Sequence, residues 1–281
     1  MRRKGESRIR KPLSIIHYPL YIIIALYLLG YPVIYFFHDV FLFRNKPLPD
    51  SLRFSFPYAF EERNFVPEPG ARLNALIFPT SVSPHRGVVL YFHGNADNLV
   101  RWGRYADRFL RSGYDVWMYD YRGFGKSKGP FDEATFYRDA DFMYRQVRRQ
   151  YPDHEIVLYG YSLGTGIAAK MAADHRPRLL LLEAPYFSIP DAARLHFPLY
   201  PYERLLPYRI PTGERIRQVR CPIHIFHGTD DEVIPYRSSL KLAETLNQPP
   251  GSLITTIPGG RHKNLADFAA YQQSLDRWLT R

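Results

Sequence analysis

The most prominent pattern in the chain is a long apolar stretch near its N-terminus. No residue from Leu13 to Phe37 carries a formal charge, and isoleucine and leucine dominate this stretch. About 20 helical residues are enough to cross the hydrocarbon core of a bilayer. The pattern therefore predicts one transmembrane helix over residues 13–37, with a connector over residues 38–58; an interfacial or core helix is the alternative interpretation.

Beyond the connector, the apolar positions follow a different pattern. Glu61–Val66 and Ala71–Phe78 flank a Pro/Gly-rich turn, which predicts an antiparallel hairpin. Short apolar runs then alternate with segments of helical periodicity, as is typical of parallel strands buried on both faces. The runs are 88-VVLYF, 114-YDVWMY, 156-IVLY, 179-LLLL, 223-IHIF and 253-LITTI. The pattern predicts a single α/β domain over residues 59–281, with a mostly parallel sheet of about eight strands.

One segment interrupts this alternation. Residues 186–219 are rich in proline and aromatic residues, which breaks the alternation of strands and helices. Long segments of this kind within compact domains are often lids or binding loops. We expect a small cap insertion that is apolar enough to line an acyl pocket, and a purely structural cover for the sheet is the alternative.

Charge adds a prediction about topology. The formal net charge of +11 is unevenly distributed, because residues 1–12 contain six Lys and Arg residues and only one Glu. Positive residues next to a span are typical of its cytoplasmic side. We therefore expect a cytoplasmic N-terminal tail, a retained helix and an α/β domain on the extracytoplasmic side. The single cysteine, Cys221, rules out a disulfide within the chain, and the charge pattern does not favour nucleic acid as a partner.

The sequence Gly160-Tyr161-Ser162-Leu163-Gly164 has the form G-x-S-x-G. It follows an apolar run and precedes a helical run of small residues, which is the context of a nucleophile elbow. A sharp turn lifts the serine hydroxyl clear of the sheet, and the flanking glycines allow strand and helix to come close. The motif predicts Ser162 as a catalytic nucleophile.

Serine needs a base within hydrogen-bond distance and an acid that orients the base. In folds with such an elbow the chain order is serine, acid, histidine. Asp231 follows the run 223-IHIF, and His262 follows the run 253-LITTI. Asp230 and Glu183 are alternative positions for the acid.

A stabilising site for the oxyanion is predicted after the run that begins at Val88. The segment 91-YFHGNADN lies where an elbow fold supplies half of its oxyanion hole. The expected donors are the backbone N–H groups of Asn95 and Leu163, with His93 and Gly94 shaping the turn. Each such donor typically contributes about 3 kcal/mol in the transition state.

These motifs, HGNADN, YDYRGFGKSKG, GYSLG, HGTDDEVIP and GGRH in this order, resemble the BEM46-like, membrane-anchored branch of the α/β hydrolases over about residues 88–265. The resemblance implies an α/β-hydrolase fold. It also implies Ser162 as nucleophile, Asp231 rather than Asp230 as acid, His262 as base and Asn95 as an oxyanion contributor.

Three other patterns in the sequence give weaker indications of function. Asp120 stands where a phosphate loop before Gly125-Lys126-Ser127 would need glycine, so nucleotide binding is not expected. His224 and His227 lack a third ligand nearby, so no metal site is predicted. Four arginines at helical spacing indicate a solvated helix face, with binding to anionic headgroups as the alternative; they are Arg101, Arg104, Arg108 and Arg111.

The sequence thus predicts a membrane-anchored serine hydrolase that needs no cofactor. The expected reaction is cleavage of a carboxylic ester or thioester, of a lipophilic small-molecule or lipid-like substrate, through an acyl-enzyme. A peptidase of the same fold and a non-catalytic binding or scaffold protein are the alternatives. The acyl chain, the leaving group and the oligomeric state are left open by the sequence.

Overall fold

The structure is a computed structural model, and it describes residues 14–196 and 198–281. The predicted basic tail over residues 1–12 lies outside the described residues, as do Leu13 and Phe197.

The N-terminal apolar stretch forms one long helix, α1, over Ser14–Leu42. Its backbone departs from helical geometry at Phe37, where φ is −116° and ψ is 15°, and Pro19 and Pro32 lie within it. Prolines remove a helical hydrogen bond and are a common cause of bends. The part over Tyr18–Leu42 has 25 residues and a mean hydropathy of 2.1, so by length and composition it is able to cross a membrane.

The centre of the fold is an eight-stranded sheet in the order β10-β9-β8-β7-β4-β6-β3-β2. Strand β3 pairs antiparallel with both β2 and β6. All other neighbouring strands of this sheet are parallel. The predicted sheet of about eight, mostly parallel strands is confirmed. A separate short parallel pair joins β1 to β5. The strands are β1 (Arg44–Asn45), β2 (Glu61–Phe65), β3 (Leu73–Phe78), β4 (Gly87–Phe92), β5 (Ala96–Asp97), β6 (Tyr114–Tyr119), β7 (Ile156–Tyr161), β8 (Leu179–Glu183), β9 (Ile223–Gly228) and β10 (Ile254–Ile257).

Helices cover both faces of this sheet. The helices that follow α1 are α2 (Leu99–Trp102), α3 (Asp107–Leu110), α4 (Glu133–Arg148), α5 (Leu163–Asp174), α6 (Ile189–His196), α7 (Tyr202–Leu205), α8 (Thr212–Arg215), α9 (Arg237–Thr245), α10 (Pro250–Leu253) and α11 (Ala269–Thr280). The apolar faces of α4 and α5 pack on one side of the sheet. Those of α2, α3 and α11 pack on the other. Burial of an aliphatic or aromatic side chain is typically worth about 1.5–3 kcal/mol, so the two layers hold the sheet rigid beneath its loops.

The segment between β8 and β9 contains three short helices, α6, α7 and α8. These helices occupy the region for which the sequence predicts a cap, residues 186–219. Helix α6 and the chain around α7 line a cavity together with the turn after β7. The segment is therefore placed where it can control access to that end of the sheet.

The predicted arginine stripe is not a single exposed face. Arg101 lies on α2, Arg104 on a 3₁₀ turn over Gly103–Tyr105 and Arg108 on α3, and Arg111 directly follows α3. Arg108 turns inward, where its guanidinium lies 3.3 Å from the Glu183 carboxylate and its side chain is 13% exposed. The interpretation of the stripe as a solvated face is wrong for Arg108, because a buried carboxylate offers it a partner that a short sequence pattern does not reveal.

Candidate active site

Ser162 lies at the tight turn between β7 and α5. Its φ is +50° and its ψ is −114°, in a region that non-glycine residues rarely adopt. Its backbone N–H donates to the Glu183 carbonyl at 2.9 Å, which ties the turn to the end of β8. A residue held in such a conformation by its surroundings is common at functional sites. The turn presents the Ser162 hydroxyl to the cavity at the carboxyl end of the sheet.

The two glycines of the motif make this turn possible through close packing. A Cβ atom on Gly164 would lie 2.1 Å from the carbonyl oxygen of Phe92 on β4. A Cβ atom on Gly160 would lie 2.6 Å from the Gly164 carbonyl oxygen. Both distances are too short for a carbon contact, so α5 can pack this closely on β7 and β4 only when neither position has a side chain.

His262 connects the serine to an acid. Its Nε2 lies 3.1 Å from the Ser162 hydroxyl, and its Nδ1 lies 2.8 Å from Oδ2 of Asp231. The Asp231 carboxylate accepts a hydrogen bond from Nδ1–H, which keeps the proton on Nδ1 and leaves Nε2 free to accept the proton of the serine hydroxyl. The structure thus brings together the three residues for which the sequence predicts catalytic roles, in the order that general-base activation of a serine requires.

The Asp231 carboxylate is fixed from both sides. Its Oδ1 accepts hydrogen bonds from the backbone N–H groups of Val233 at 2.9 Å and Ile234 at 2.8 Å. Burial opposes its ionisation, but hydrogen bonds from His227 and His262 outweigh this effect, and the pKa of Asp231 is held well below its usual range. The carboxylate is therefore charged across the neutral range and can orient the His262 ring.

The two alternative acids lie in other environments. Asp230 is exposed and accepts a hydrogen bond from the hydroxyl of Thr229. Glu183 is buried, and its carboxylate contacts the Tyr159 hydroxyl, the Tyr271 hydroxyl at 3.0 Å and Arg108. Neither carboxylate has a hydrogen bond to His262 among the described residues. Their positions leave Asp231 as the acid that contacts the histidine.

Sequence reasoning missed the part that His227 plays. This residue is fully buried, and its Nε2 lies 2.7 Å from the Ile234 carbonyl and 3.3 Å from Oδ2 of Asp231. Its Nδ1 lies 2.6 Å from the Ser239 hydroxyl. His227 therefore fixes the loop that carries Asp231. The available signal was its place at the end of the strand, four residues before the acid.

The predicted oxyanion donors also border the cavity. Asn95 and Leu163 both line it beside Ser162. Among the described residues, neither backbone N–H donates to a protein acceptor, so both are available to a substrate oxygen. The Asn95 side chain donates a hydrogen bond to the Leu42 backbone carbonyl at 2.8 Å. The backbone carbonyl of Asn95 accepts one from the Arg44 N–H at 2.8 Å. The end of α1 and β1 thus hold the loop that carries one candidate donor.

Buried aromatic packing supports the same loop. The His93 ring stacks on Trp102 with an interplanar angle of 14°, and its Nδ1 lies 2.7 Å from the Gly94 carbonyl. The Tyr121 hydroxyl donates to the His93 carbonyl at 2.8 Å. These contacts agree with the expectation that His93 and Gly94 shape the turn before Asn95.

The cavity beside Ser162 has a volume of about 690 Å³. This size is within the range of small-molecule binding sites, which is about 300–1,000 Å³. Apolar side chains from α1, α6 and the chain around α7 form most of its wall. The charged residues that line it, Arg44, Glu232 and Lys263, are exposed, and Glu232 contacts the His262 backbone. The cavity is thus a mostly apolar chamber that the Ser162 side chain borders.

His224 and His227 both have hydrogen-bond partners within the protein. His224 lies 2.7 Å from the Thr255 hydroxyl, and burial lowers its pKa to about 3. His227 contacts Asp231, as described above. Within residues 14–196 and 198–281, no group of three or more His, Cys, Asp or Glu side chains is placed to hold a metal ion.

Comparisons with known proteins agree with this architecture. Residues 83–212 match the family model described as "Serine aminopeptidase, S33". An uncharacterized protein of Mycobacterium tuberculosis is 28% identical over 213 residues, which cover 75% of this chain and 76% of that protein. The lysophosphatidylserine lipase ABHD12 of Danio rerio is 30% identical over 207 residues, but these cover 63% of this chain and only 53% of the relative.

A solved structure shows the same fold at lower sequence identity. The Pyrococcus furiosus esterase Pf2001 superposes with a TM-score of 0.65 at 16% identity, over 84% of this chain and 99% of that chain. The chain therefore has the α/β-hydrolase fold, and its membership of the α/β-hydrolase superfamily is a prediction that the partial family match and these relatives support. The narrower resemblance to the BEM46-like branch stays a prediction.

Proposed function

We propose that this protein is a serine hydrolase that cleaves carboxylic ester or thioester bonds through an acyl-enzyme. The observation that carries the proposal is the position of His262, whose two ring nitrogens contact Asp231 and Ser162 at 2.8 and 3.1 Å. The family match and the named relatives support hydrolase activity at the general level.

The mechanism follows from these contacts. The Ser162 oxygen attacks the carbonyl carbon while His262 Nε2 takes the hydroxyl proton, and the carbonyl electron pair moves to oxygen. The N–H groups of Asn95 and Leu163 stabilise that oxyanion. When the oxyanion collapses, the bond to the leaving group breaks and His262 returns the proton to that group. Water then repeats the sequence on the acyl-enzyme, and the carboxylic acid leaves.

A peptidase is the second candidate. The family description names an aminopeptidase, and such an enzyme needs an anchor for a substrate amine. Glu232 is the one carboxylate among the described residues that line the cavity, and its Oε2 lies 3.4 Å from the His262 N–H. Glu232 is exposed to solvent, which screens its charge and makes it a weak site for a substrate amine.

A substrate panel distinguishes the candidates. Purified full-length protein is assayed on 4-methylumbelliferyl esters, an acyl thioester and aminoacyl amides, with Ser162→Ala as the control. The proposal predicts ester or thioester turnover that Ser162→Ala abolishes. Turnover of amides alone, lost in Glu232→Gln, would establish the peptidase instead. A folded wild-type protein that turns over none of these substrates would favour the non-catalytic alternative.

We further propose that α1 stays attached and anchors the protein in a membrane, with the N-terminus cytoplasmic and the catalytic domain on the opposite side. The apolar composition of Tyr18–Leu42 and the basic residues before it support this orientation. Protease added to sealed vesicles of known orientation tests the proposal. The catalytic domain should be cleaved only when its side is exposed, and cleavage from the N-terminal side would contradict the orientation.

A further inference from the structure

The anchor helix is part of the wall of the catalytic cavity. Six residues of α1 line it, on the face that turns toward the cap: Gly30, Val33, Ile34, His38, Phe41 and Leu42. Gly30 and Leu42 are 12 residues apart, which is about 18 Å along a helix. The helix therefore borders the cavity over a length comparable with that of an extended long acyl chain, which a simple tether would not do.

Aromatic contacts join α1 to the cap at the end of the cavity away from Ser162. The rings of Tyr27 and Tyr200 stack with centroids 4.9 Å apart. The Tyr27 hydroxyl donates to the Leu199 carbonyl at 3.0 Å, and the Tyr200 hydroxyl donates to the Tyr27 carbonyl at 3.2 Å. A Cβ atom on Gly30 would lie 1.9 Å from the Tyr200 hydroxyl oxygen, so the glycine is what permits this close approach.

The other end of α1 is held beside the reacting atoms. Leu42 accepts the hydrogen bond from the Asn95 side chain, on the loop that carries the candidate oxyanion donor. The direction of α1 therefore runs from the middle of the apolar stretch, at Gly30, to the catalytic residues, at Leu42. In a bilayer, the ester groups of lipids lie at the interface and their acyl chains point toward the centre. A lipid would meet α1 in that same order.

The outer surface around this contact is apolar as well. Leu199 on the cap has 74% of its surface exposed beside α1, and Phe36 and Leu29 on α1 are 73% and 62% exposed. Large apolar residues clustered in this way on a surface mark contact with a membrane or a protein. Because the same stretch, Tyr18–Leu42, is able to span a bilayer, the lipid phase is the environment that these side chains fit.

We infer that the cavity takes the acyl chain of a membrane lipid directly from the bilayer, between α1 and the cap. This inference rests on the proposed function and specifies its substrate as an ester of a long acyl chain that is already dissolved in the membrane. The chain lies along α1 from Leu42 toward Gly30, and the ester carbonyl reaches Ser162.

The first test changes the α1 wall within the full-length protein. Val33 lines the cavity, whereas Val40, on the same helix, is 70% exposed and does not. Val33→Trp should lower the ratio of 4-methylumbelliferyl palmitate to acetate turnover by about tenfold or more, because it fills space that the long chain needs. Val40→Trp should leave the ratio unchanged. Equal ratios in the two variants would overturn the inference.

The second test needs no variant and therefore does not depend on how Val33→Trp folds. Wild-type protein is reconstituted in phosphatidylcholine vesicles that contain 4-methylumbelliferyl palmitate. If the chain enters from the bilayer, adding phosphatidylcholine at constant total substrate should lower the rate in proportion to the mole fraction of substrate in the membrane. A rate that depends only on total substrate concentration would overturn the inference.

The soluble acetate ester keeps the two proposals apart. Acetate turnover that requires Ser162, combined with no dependence on mole fraction, would refute bilayer entry and leave the proposed function intact. Loss of turnover for both esters in folded wild-type protein would refute the proposed function itself.

Discussion

Replacement of Asp231 by asparagine tests the electrostatic design of the site. An asparagine amide at this position has one oxygen and one NH₂ group, whereas the carboxylate accepts hydrogen bonds on both oxygens. If the NH₂ group faces the amides of Val233 and Ile234, two donors oppose it. If it faces His262, the ring must present a lone pair at Nδ1 and carry its proton on Nε2.

The second arrangement is the less costly one, because the groups that it opposes are the rings of His262 and His227. The His262 ring can change tautomer, whereas the backbone N–H groups are fixed. This arrangement places a proton on the nitrogen that has to accept the Ser162 proton. A tautomer error of this kind lowers kcat by about 10⁴-fold in the well-studied serine proteases. We expect a loss of about 10³- to 10⁴-fold in kcat/KM here, which corresponds to about 4–5.5 kcal/mol of transition-state stabilisation.

Asp230→Asn is the matched control, because the neighbouring carboxylate is exposed and has no hydrogen bond to His262 among the described residues. The assay is the kcat/KM for 4-methylumbelliferyl acetate at pH 7.5, with circular dichroism to confirm the fold. Asp230→Asn should stay within a few-fold of the wild type. The reasoning is refuted if Asp231→Asn retains more than a tenth of wild-type activity, or if the two variants lose activity equally.

Three further predictions concern stability. Gly164→Ala should destabilise the fold by about 1–3 kcal/mol through overpacking. Gly251→Ala, whose new Cβ would have no heavy atom within 4 Å, should leave the stability nearly unchanged in thermal melts. Similar losses of stability in the two variants would contradict the packing argument. Glu183→Gln should lower the free energy of unfolding by up to about 3–5 kcal/mol, because it leaves the guanidinium of Arg108 without a charged partner. Urea unfolding measures this change, and an unchanged urea midpoint would show that the ion pair adds no stability. The pKa of Asp231 is lower in the folded protein than its unfolded value of about 3.9, so its contribution is present above about pH 4 and is lost as the pH falls further. Melting temperatures of Asp231→Asn should therefore fall less steeply than those of the wild type between about pH 5 and pH 3, and parallel curves would contradict this.

Much of the fold, but less of the candidate site, can be predicted from the sequence. Runs such as 156-IVLY predict buried strands because a parallel strand covered on both faces has no polar side, and the sheet follows from their order. The turn at Ser162 is predictable because its glycines and serine are adjacent in the chain. Local patterns of this kind can be recognised without knowledge of the tertiary structure.

Apart from the contact between His227 and Asp231, which are four residues apart, the missed features depend on contacts between distant segments. Nothing near Tyr27 in sequence indicates that its ring stacks on Tyr200, and Arg108 reveals its inward position only when Glu183 is in place. Helix α1 has the same apolar composition whether it is a tether or a cavity wall. Its role in the cavity depends on one face of the helix, which the overall hydropathy of the stretch does not distinguish.

The central claim is that Ser162 is an activated nucleophile, and covalent labelling tests it most directly. Full-length protein in membranes is treated with a fluorophosphonate probe, and the modified peptide is identified by mass spectrometry. The account predicts a phosphonylated Ser162 in the wild type, no labelling of Ser162→Ala and greatly slowed labelling of His262→Ala. Labelling that persists in Ser162→Ala, or folded wild-type protein that is not labelled, would contradict it.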